Sequence, residues 1–193
     1  VEHLKYKISM TLPVYIYGQP VLRKVAEDIK PDYPNIKELI ANMFETLYHA
    51  DGVGLAAPQV GLPIRVVVID LDPTSEEHPE YKDFRKAYIN AHIIEAGDET
   101  VSMEEGCLSL PGIHEDVVRP KKVHVQYLDE NFEPHDEWAD SYLARVMQHE
   151  FDHLDGHLYI DRISPLRRQM NKGKLNAMLK GKAHGSYKMK TVR

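Results

Sequence analysis

The most informative stretch of the sequence is Gln-His-Glu-Phe-Asp-His, residues 148–153, inside a predicted helix over residues 141–154. Residues four apart on a helix are offset by only about 40°, so His149 and His153 project from one face and can bind one metal ion. Glu150 follows the first histidine, where its carboxylate reaches water beside the metal rather than the metal itself. The pattern therefore predicts a catalytic metal helix.

The alternative interpretation of this pattern is two solvated histidines on an amphipathic helix. The residues on the relevant side of the helix are apolar, namely Leu143, Val146 and Met147. Apolar neighbours disfavour solvated imidazole rings. Asp140 and Ser141 are suitable N-cap residues for the helix, and Gly156 follows its end, as is common at helix C-termini.

A catalytic site of this type needs a third protein ligand and one open position. A glutamate downstream of the helix cannot be this third ligand, because residues 154–193 contain no glutamate. The long zinc-protease motif needs a histidine six residues after His153, but Tyr159 stands there and His157 falls two residues short. The remaining candidate is Cys107, the single cysteine, which more often would be an inert buried side chain. Failure of both rival ligands favours Cys107.

A third segment, residues 52–61, reads Gly-Val-Gly-Leu-Ala-Ala-Pro-Gln-Val-Gly. Its small residues allow the backbone to approach a substrate closely, and Gln59 offers an amide donor. The alternative is a glycine-rich turn after a helix. It is not a dinucleotide loop, because Ala57 breaks the glycine pattern and no strand precedes it.

Composition excludes several classes of protein. The 193 residues are 42% hydrophobic and 28% charged, as in an ordinary globular domain, and no apolar run approaches the roughly 20 residues that span a bilayer. One cysteine excludes an internal disulfide framework and indicates a reducing compartment. Residues 1–9 are too polar for a secretory signal, and we assign them no function.

Charge is distributed unevenly along the chain. Residues 1–161 carry 14 Lys and Arg against 30 Asp and Glu, whereas residues 162–193 carry ten Lys and Arg and no acid. A basic tail on an acidic body predicts a separate surface role for the C-terminus.

Hydrophobic patterning predicts an α+β fold with a mostly antiparallel sheet. The predicted helices cover residues 34–50, 141–154 and Pro165 to about 180. The predicted strands cover 64–70, 87–95, 117–118 and 121–128, and the acidic stretch 71–85 is a predicted exposed loop.

Three motifs together resemble the peptide deformylases, metal hydrolases that remove the formyl group from N-formylmethionine of nascent chains. The motifs are GVGLAAPQ at 52–59, EGCLS at 105–109 and HEFDH at 149–153. The resemblance covers residues 12–168, about the whole domain. It implies short-stranded antiparallel sheets around a central HExxH helix, with an N-terminal and a C-terminal helix.

The resemblance also implies a ligand set and roles. Cys107, His149 and His153 would bind one divalent metal ion, Fe²⁺ first, with Zn²⁺, Ni²⁺ or Co²⁺ able to substitute. Glu150 would shuttle the proton. Oxyanion donors would be the Gln59 side-chain amide and the Leu108 backbone N–H.

Substrate contacts follow from the same positions. The expected methionine pocket comprises Val53, Tyr142, Val146 and the alkyl part of Arg145, whose guanidinium would reach the rim, although Tyr142 and Val146 suit a plain core equally well. Backbone pairing with the peptide is expected at Val53–Gly54 and along 107–112, with Gly106 beside it. The loop at 71–86, longer and more acidic than in compact relatives, would shape the rim.

The expected organisation is one domain over residues 1–193, with a catalytic core at 12–168 and a basic helix and tail at 165–193. We expect a bacterial cytoplasmic enzyme with formylmethionyl nascent peptides as partners and no membrane or DNA partner. The tail would contact ribosomal RNA. Rival interpretations are an HExxH endopeptidase that does not depend on Cys107, and a non-catalytic metal-binding protein with a fourth protein ligand.

Overall fold

A computed structural model describes residues 9–193, so the expectation for residues 1–8 lies outside the described residues. Within them the helices are α1 (Ile36–His49), α2 (Ser141–Leu154), α3 (Pro165–Met170) and α4 (Lys172–Leu179). The strands are β1 (Val14–Tyr15), β2 (Gly54–Ala56), β3 (Val66–Asp70), β4 (Arg85–Ala96), β5 (Thr100–Cys107), β6 (Leu110–Pro120), β7 (Lys122–Leu128), β8 (Pro134–Asp140) and β9 (Met189–Lys190). Short 3₁₀ turns cover Pro20–Arg23, Ala57–Val60, Asp72–Thr74, Pro79–Tyr81 and Tyr159–Asp161.

A five-stranded antiparallel sheet in the order β2-β3-β4-β7-β8 separates the two long helices. Successive residues of β3 point to opposite faces, so Val66 and Val68 pack in the core that contains α1, whereas Val67 and Ile69 pack in the core that contains α2. Burial on both faces explains why the first four residues of β3, from Val66 to Ile69, are all apolar. This packing fixes α2 against the sheet.

A third core lies beneath the hairpin of β5 and β6 and includes the end of the chain. Buried residues of β6 and β1 pack with Leu175 and Met178 of α4. After α4 the chain turns at Gly181 and returns, so that β9 pairs in parallel with β1. The basic tail is thereby part of the folded domain.

The predicted fold class is confirmed, with differences in single elements. Helices 36–49 and 141–154 and the irregular acidic loop match the prediction. The prediction of one continuous last helix is wrong. This segment divides at Asn171 into α3 and α4, and the buried Asn171 amide donates a hydrogen bond of 2.6 Å to Glu115 Oε1. Strands β1, β2, β5, β8 and β9 and most of β6 were not predicted.

Candidate active site

Three side chains of metal-binding type converge where α2 faces the end of β5. The ligand atoms of Cys107, His149 and His153 all lie within 4.8 Å of one another, and Cys107 Sγ is 3.4 Å from His153 Nε2. The histidines stand one helical turn apart on α2. Cys107 is the last residue of β5, after a register shift at Gly106 that breaks the regular pairing with β6. The structure therefore brings together the three residues that the sequence predicts as metal ligands.

A buried network of charges holds this group in place. His149 Nδ1 lies 2.8 Å from Glu105 Oε1, and the Arg119 guanidinium donates to Glu105 and, at 2.8 Å, to Asp152. Arg162 makes two further hydrogen bonds of 2.7 Å to Asp152. Burial opposes ionisation of Glu105, but hydrogen bonds from His149 and Arg119 outweigh it and lower its pKa to about 2. Glu105 is therefore an anion that orients the His149 ring.

Sequence reasoning missed the structural roles of Glu105, Arg119 and Asp152. Two of them stood inside recognised motifs, but the motif alone did not indicate what they contact. Arg119 is 2% exposed on β6. A charged residue at an inward position of a strand is the signal that could have found it, because such residues are rarely buried without a partner.

Glu150 is buried beside the metal-binding group, and its Oε2 has no hydrogen-bond partner within the described residues. Burial raises the pKa of Glu150 to about 7, where a carboxyl can both accept and return a proton. A Cβ on Gly54 would stand 2.6 Å from Glu150 Oε1. Glycine at 54 therefore makes room for this carboxylate.

The three donors fit a divalent transition-metal ion. Thiolate and imidazole are the ligands that such ions prefer, and a set of three leaves a position open for the reaction. Because His149 Nδ1 is engaged by Glu105, its Nε2 is the nitrogen left to bind a metal. Burial and the neighbouring His149 lower the pKa of His153 to about 3, so this ring is in the neutral form that ligates.

Gln59 connects the glycine-rich segment to the metal-binding loop. Its Oε1 accepts a hydrogen bond of 2.9 Å from the Ala56 N–H, which orients the amide. Its Nε2 then donates to Ser109 Oγ at 3.1 Å and lies 3.5 Å from Cys107 Sγ. An oriented N–H donor therefore stands beside Cys107.

A cleft of about 570 Å³ opens onto this site. The predicted substrate-binding residues all line it, namely Val53, Gly54, Gly106, Tyr142, Arg145 and Val146. Gln59, Leu108 and Glu150 line it as well. Unpredicted lining comes from the C-terminal tail, at residues 184–187. The loop that holds His78 and Tyr81 packs its rings against Tyr142, so it supports the cleft wall from behind.

The expectation for the Arg145 guanidinium is wrong. Arg145 is only 4% exposed, and its guanidinium donates to the carbonyls of Val117 at 2.8 Å and Val101 at 2.7 Å. It also lies 3.3 Å from Glu105 Oε2. These buried acceptors outcompete water at the rim, so Arg145 ties α2 to the β5–β6 hairpin.

Known proteins of one family are similar to this chain over nearly its whole length. A sequence model described as polypeptide deformylase matches residues 11–169. The peptide deformylase of Flavobacterium psychrophilum is 48% identical over 190 residues, covering 95% of this chain and 98% of the relative. That of Flavobacterium johnsoniae is 49% identical over 188 residues, covering 94% and 96%.

Solved structures of peptide deformylases are also similar to this chain. The crystal structure of peptide deformylase from Thermotoga maritima has a TM-score of 0.72 at 44% identity, covering 80% of this chain and 99% of that one. The peptide deformylase from Thermus thermophilus has a TM-score of 0.79 at 38% identity, covering 89% of this chain and 99% of that one.

The helices of the described residues were also compared with the length and hydropathy of membrane spans, and none of them could cross a membrane.

An HExxH helix packed on an antiparallel sheet, with a cysteine and a buried carboxyl beside its histidines, is typical of a metal-dependent hydrolase. The chain belongs to the polypeptide deformylase family, whose enzymes remove the N-formyl group from the N-terminal formylmethionine of nascent polypeptides. Family membership decides against the endopeptidase and the non-catalytic metal protein.

Proposed function

We propose that this chain hydrolyses the N-terminal formamide of formylmethionyl peptides with one divalent metal ion held by Cys107, His149 and His153. Fe²⁺ is the proposed ion in the cell, and Zn²⁺, Ni²⁺ or Co²⁺ can substitute. The observation that carries the proposal is the convergence of three ligand atoms within 4.8 Å beside a buried carboxyl. When bound, the ion supplies Lewis-acid chemistry that makes water nucleophilic near neutral pH and polarises the formyl oxygen.

Glu150 is the proposed general base and acid. Its carboxylate takes the proton from the attacking water and gives it to the amine that leaves, which would otherwise depart as an unstable anion. Its burial and raised pKa support both halves of this role. Gly54 supports it sterically, because any side chain there would displace the carboxylate.

Gln59 and Leu108 are the proposed donors to the developing oxyanion. The amide of Gln59 is held by Ala56 and directed toward Cys107, so it is already oriented before substrate binds. The Leu108 backbone N–H follows the metal ligand directly in the chain. Fixed donors need no reorganisation as charge develops, which is why they lower the barrier.

The proposed methionine pocket lies between α2 and the segment before β2. Val53, Tyr142 and Val146 supply apolar lining, and the stem of Arg145 supplies more while its guanidinium is fixed in the wall. The peptide would pair as an added strand with Val53–Gly54 and with residues 107–112 beside Gly106. The loop at 71–86 would tune the rim through Tyr142.

At a larger scale we propose a single domain over residues 1–193 in the bacterial cytoplasm, where formylated nascent chains occur. Its basic C-terminal segment, 165–193, would contact ribosomal RNA, and no membrane or DNA partner is proposed. The charge of this segment supports the contact, because residues 165–193 carry nine Lys and Arg and no acid.

Release of formate tests the central proposal. Protein kept anaerobic and loaded with Fe²⁺ is given formyl-Met-Ala peptide, and formate is measured together with the free methionyl amine. Equimolar formate and amine are expected. Cleavage between Met and Ala with no formate would contradict the proposal, and the acetyl-Met-Ala peptide serves as the control substrate.

A further inference from the structure

The C-terminal tail reaches the active site through Tyr187. Its hydroxyl donates a hydrogen bond of 2.6 Å to the backbone carbonyl of Leu108. The side chain is half-buried, and residues 184–187 line the same cleft as Cys107 and Glu150. Tyr187 lies 18 residues beyond the end of the match to the family model, at 169. A tail expected to act on the outer surface therefore contacts the loop that carries a metal ligand.

The tail is anchored firmly enough to position a neighbour. β9 pairs with β1 through the Val14 N–H to Lys188 carbonyl and the Ile16 N–H to Lys190 carbonyl, at 2.9 and 3.0 Å. The Gln19 side chain adds a hydrogen bond of 2.8 Å to the carbonyl of Thr191. Because these bonds begin at the residue that follows Tyr187, they fix where Tyr187 stands.

The loop at 107–109 is held from three directions. Gln59 Nε2 donates to Ser109 Oγ, and the Tyr17 N–H donates to the Ser109 carbonyl at 2.8 Å. The Tyr187 hydroxyl holds the Leu108 carbonyl. Since the N–H and C=O of Leu108 are joined through one Cα, fixing the carbonyl restricts the direction in which its N–H points. Oxyanion donors must stand within a fraction of an ångström of their productive position.

We infer that Tyr187 is a positioning residue for this reaction, which aligns the Leu108 backbone N–H with the formyl oxygen by holding the Leu108 carbonyl. This inference rests on the donor role proposed above for Leu108. Tyr187 contacts neither substrate nor metal in this role. Through this contact the C-terminal tail contributes to the geometry of the active site.

Tyr187→Phe tests the inference, because it removes one oxygen atom and keeps the ring in its place. Loss of one hydrogen bond should lower kcat about three- to tenfold and leave KM within about twofold. Tyr33→Phe is the matched control, since Tyr33 is half-buried against the core around α1. It should keep wild-type kcat and KM.

Two further measurements separate positioning from a general structural role. Hydrogen–deuterium exchange of peptides covering residues 106–110 should accelerate in Tyr187→Phe and stay unchanged in Tyr33→Phe. Binding of the product peptide Met-Ala-Ser should keep its Kd, because the alignment matters as the oxyanion forms. A kcat within twofold of wild type would overturn the inference, as would a loss of kcat that only follows a loss of bound metal.

Failure of this inference is distinguishable from failure of the proposed function. If Gln59→Ala lowers kcat while Tyr187→Phe does not, the oxyanion site stands and the positioning role is wrong. If the wild-type enzyme releases no formate from formyl-Met-Ala, the proposed function itself is wrong. A lowered kcat in both variants, with KM conserved, supports the two together.

Discussion

His149 Nδ1 and Glu105 Oε1 lie 2.8 Å apart in the interior, and this contact determines which ring nitrogen faces Cys107. Because Nδ1 is directed at the carboxylate, Nε2 is directed at the metal position. Glu105 is in turn fixed by Arg119 and Arg145, so three elements converge to set the orientation of one imidazole. The proposed ligand His149 is therefore oriented by β5 and β6 as well as by its own helix.

Replacing Glu105 by Gln should weaken metal binding about 10- to 100-fold, the usual effect of losing such a partner of a ligating histidine. The measurement is competition with a chelator of known affinity. Glu104→Gln is the matched control, an exposed carboxylate on the same strand. Equal metal affinity in Glu105→Gln and wild type would contradict the orienting role. Thermal unfolding of both variants checks that the buried arginines have not disrupted the fold.

Cys107→Ala should abolish retention of the metal, because two imidazoles alone make a weak and incomplete site. Elemental analysis after desalting measures the outcome as metal ions per chain. His114→Ala is the control: His114 lines the same cleft on β6 but lies outside the group of converging ligands. It should retain a full ion. Full occupancy in Cys107→Ala would show that a different third ligand is used.

Glu150→Gln should keep the metal and lose nearly all turnover. An amide has the size of the carboxylate but cannot accept the proton of water, and general acid–base catalysis contributes about 10²- to 10⁴-fold. The assay compares kcat and metal content in the same preparation. Retained turnover at full metal content would remove Glu150 from the proton transfer.

Gln59→Ala should lower kcat far more than it changes KM. Its hydrogen bond strengthens only as the oxyanion forms, and removal of one such donor costs about 2.7–4 kcal/mol of transition-state stabilisation. Steady-state kinetics over a range of formyl-Met peptide concentrations measures both constants. A change in KM alone would mean that Gln59 contributes to ground-state binding rather than to the oxyanion site.

Sequence patterning predicted the elements whose residues alternate cleanly and missed those in which charges interrupt the pattern. Helix α2 was predictable because its ligands and apolar residues follow one helical period. Most of β6 was not predictable, because two of its inward positions hold charged residues. Glu115 and Arg119 are buried on the same face of the strand as Ile113 and Val117. Each of these charges has its partner far away in the chain, at Arg167 or at Glu105. Only the folded chain reveals those pairs.

In the tail, the prediction of one continuous helix was wrong and strand β9 was missed for a related reason. Its lysines and arginines dominate the composition, while the residues that pack it into the third core are few, namely Leu175, Met178, Ala183, Tyr187 and Met189. Strand β9 has two residues and exists only by pairing with β1, so no local pattern could indicate it. Four of the cations are also engaged within the described residues: Arg162 by Asp152, Arg167 by Glu115, Arg168 by Asp161 and Lys174 by the Gly112 carbonyl.

The remaining exposed cations of the tail give a test of ribosome contact that leaves the core intact. Removing the segment would remove Leu175 and Met178 from the third core and Tyr187 from the cleft, so activity would not survive truncation after Pro165. Charge reversal of Lys172, Lys180 and Lys182, all exposed, avoids this. The triple variant should keep its activity on a formyl-Met tripeptide and co-sediment less with ribosomes at low salt, because phosphate contacts depend on released counterions.

The matched control for this variant reverses three exposed lysines outside the tail, Lys24, Lys30 and Lys37, and so changes net charge by the same amount. If binding follows net charge alone, both variants lose it equally and the tail has no special role. If the tail makes the contact, only its own variant weakens, and the dependence of binding on salt becomes shallower in that variant by about one phosphate contact per reversed lysine. Unchanged co-sedimentation of the tail variant would show that these lysines form only a solvated surface, which is the usual meaning of a run of charge.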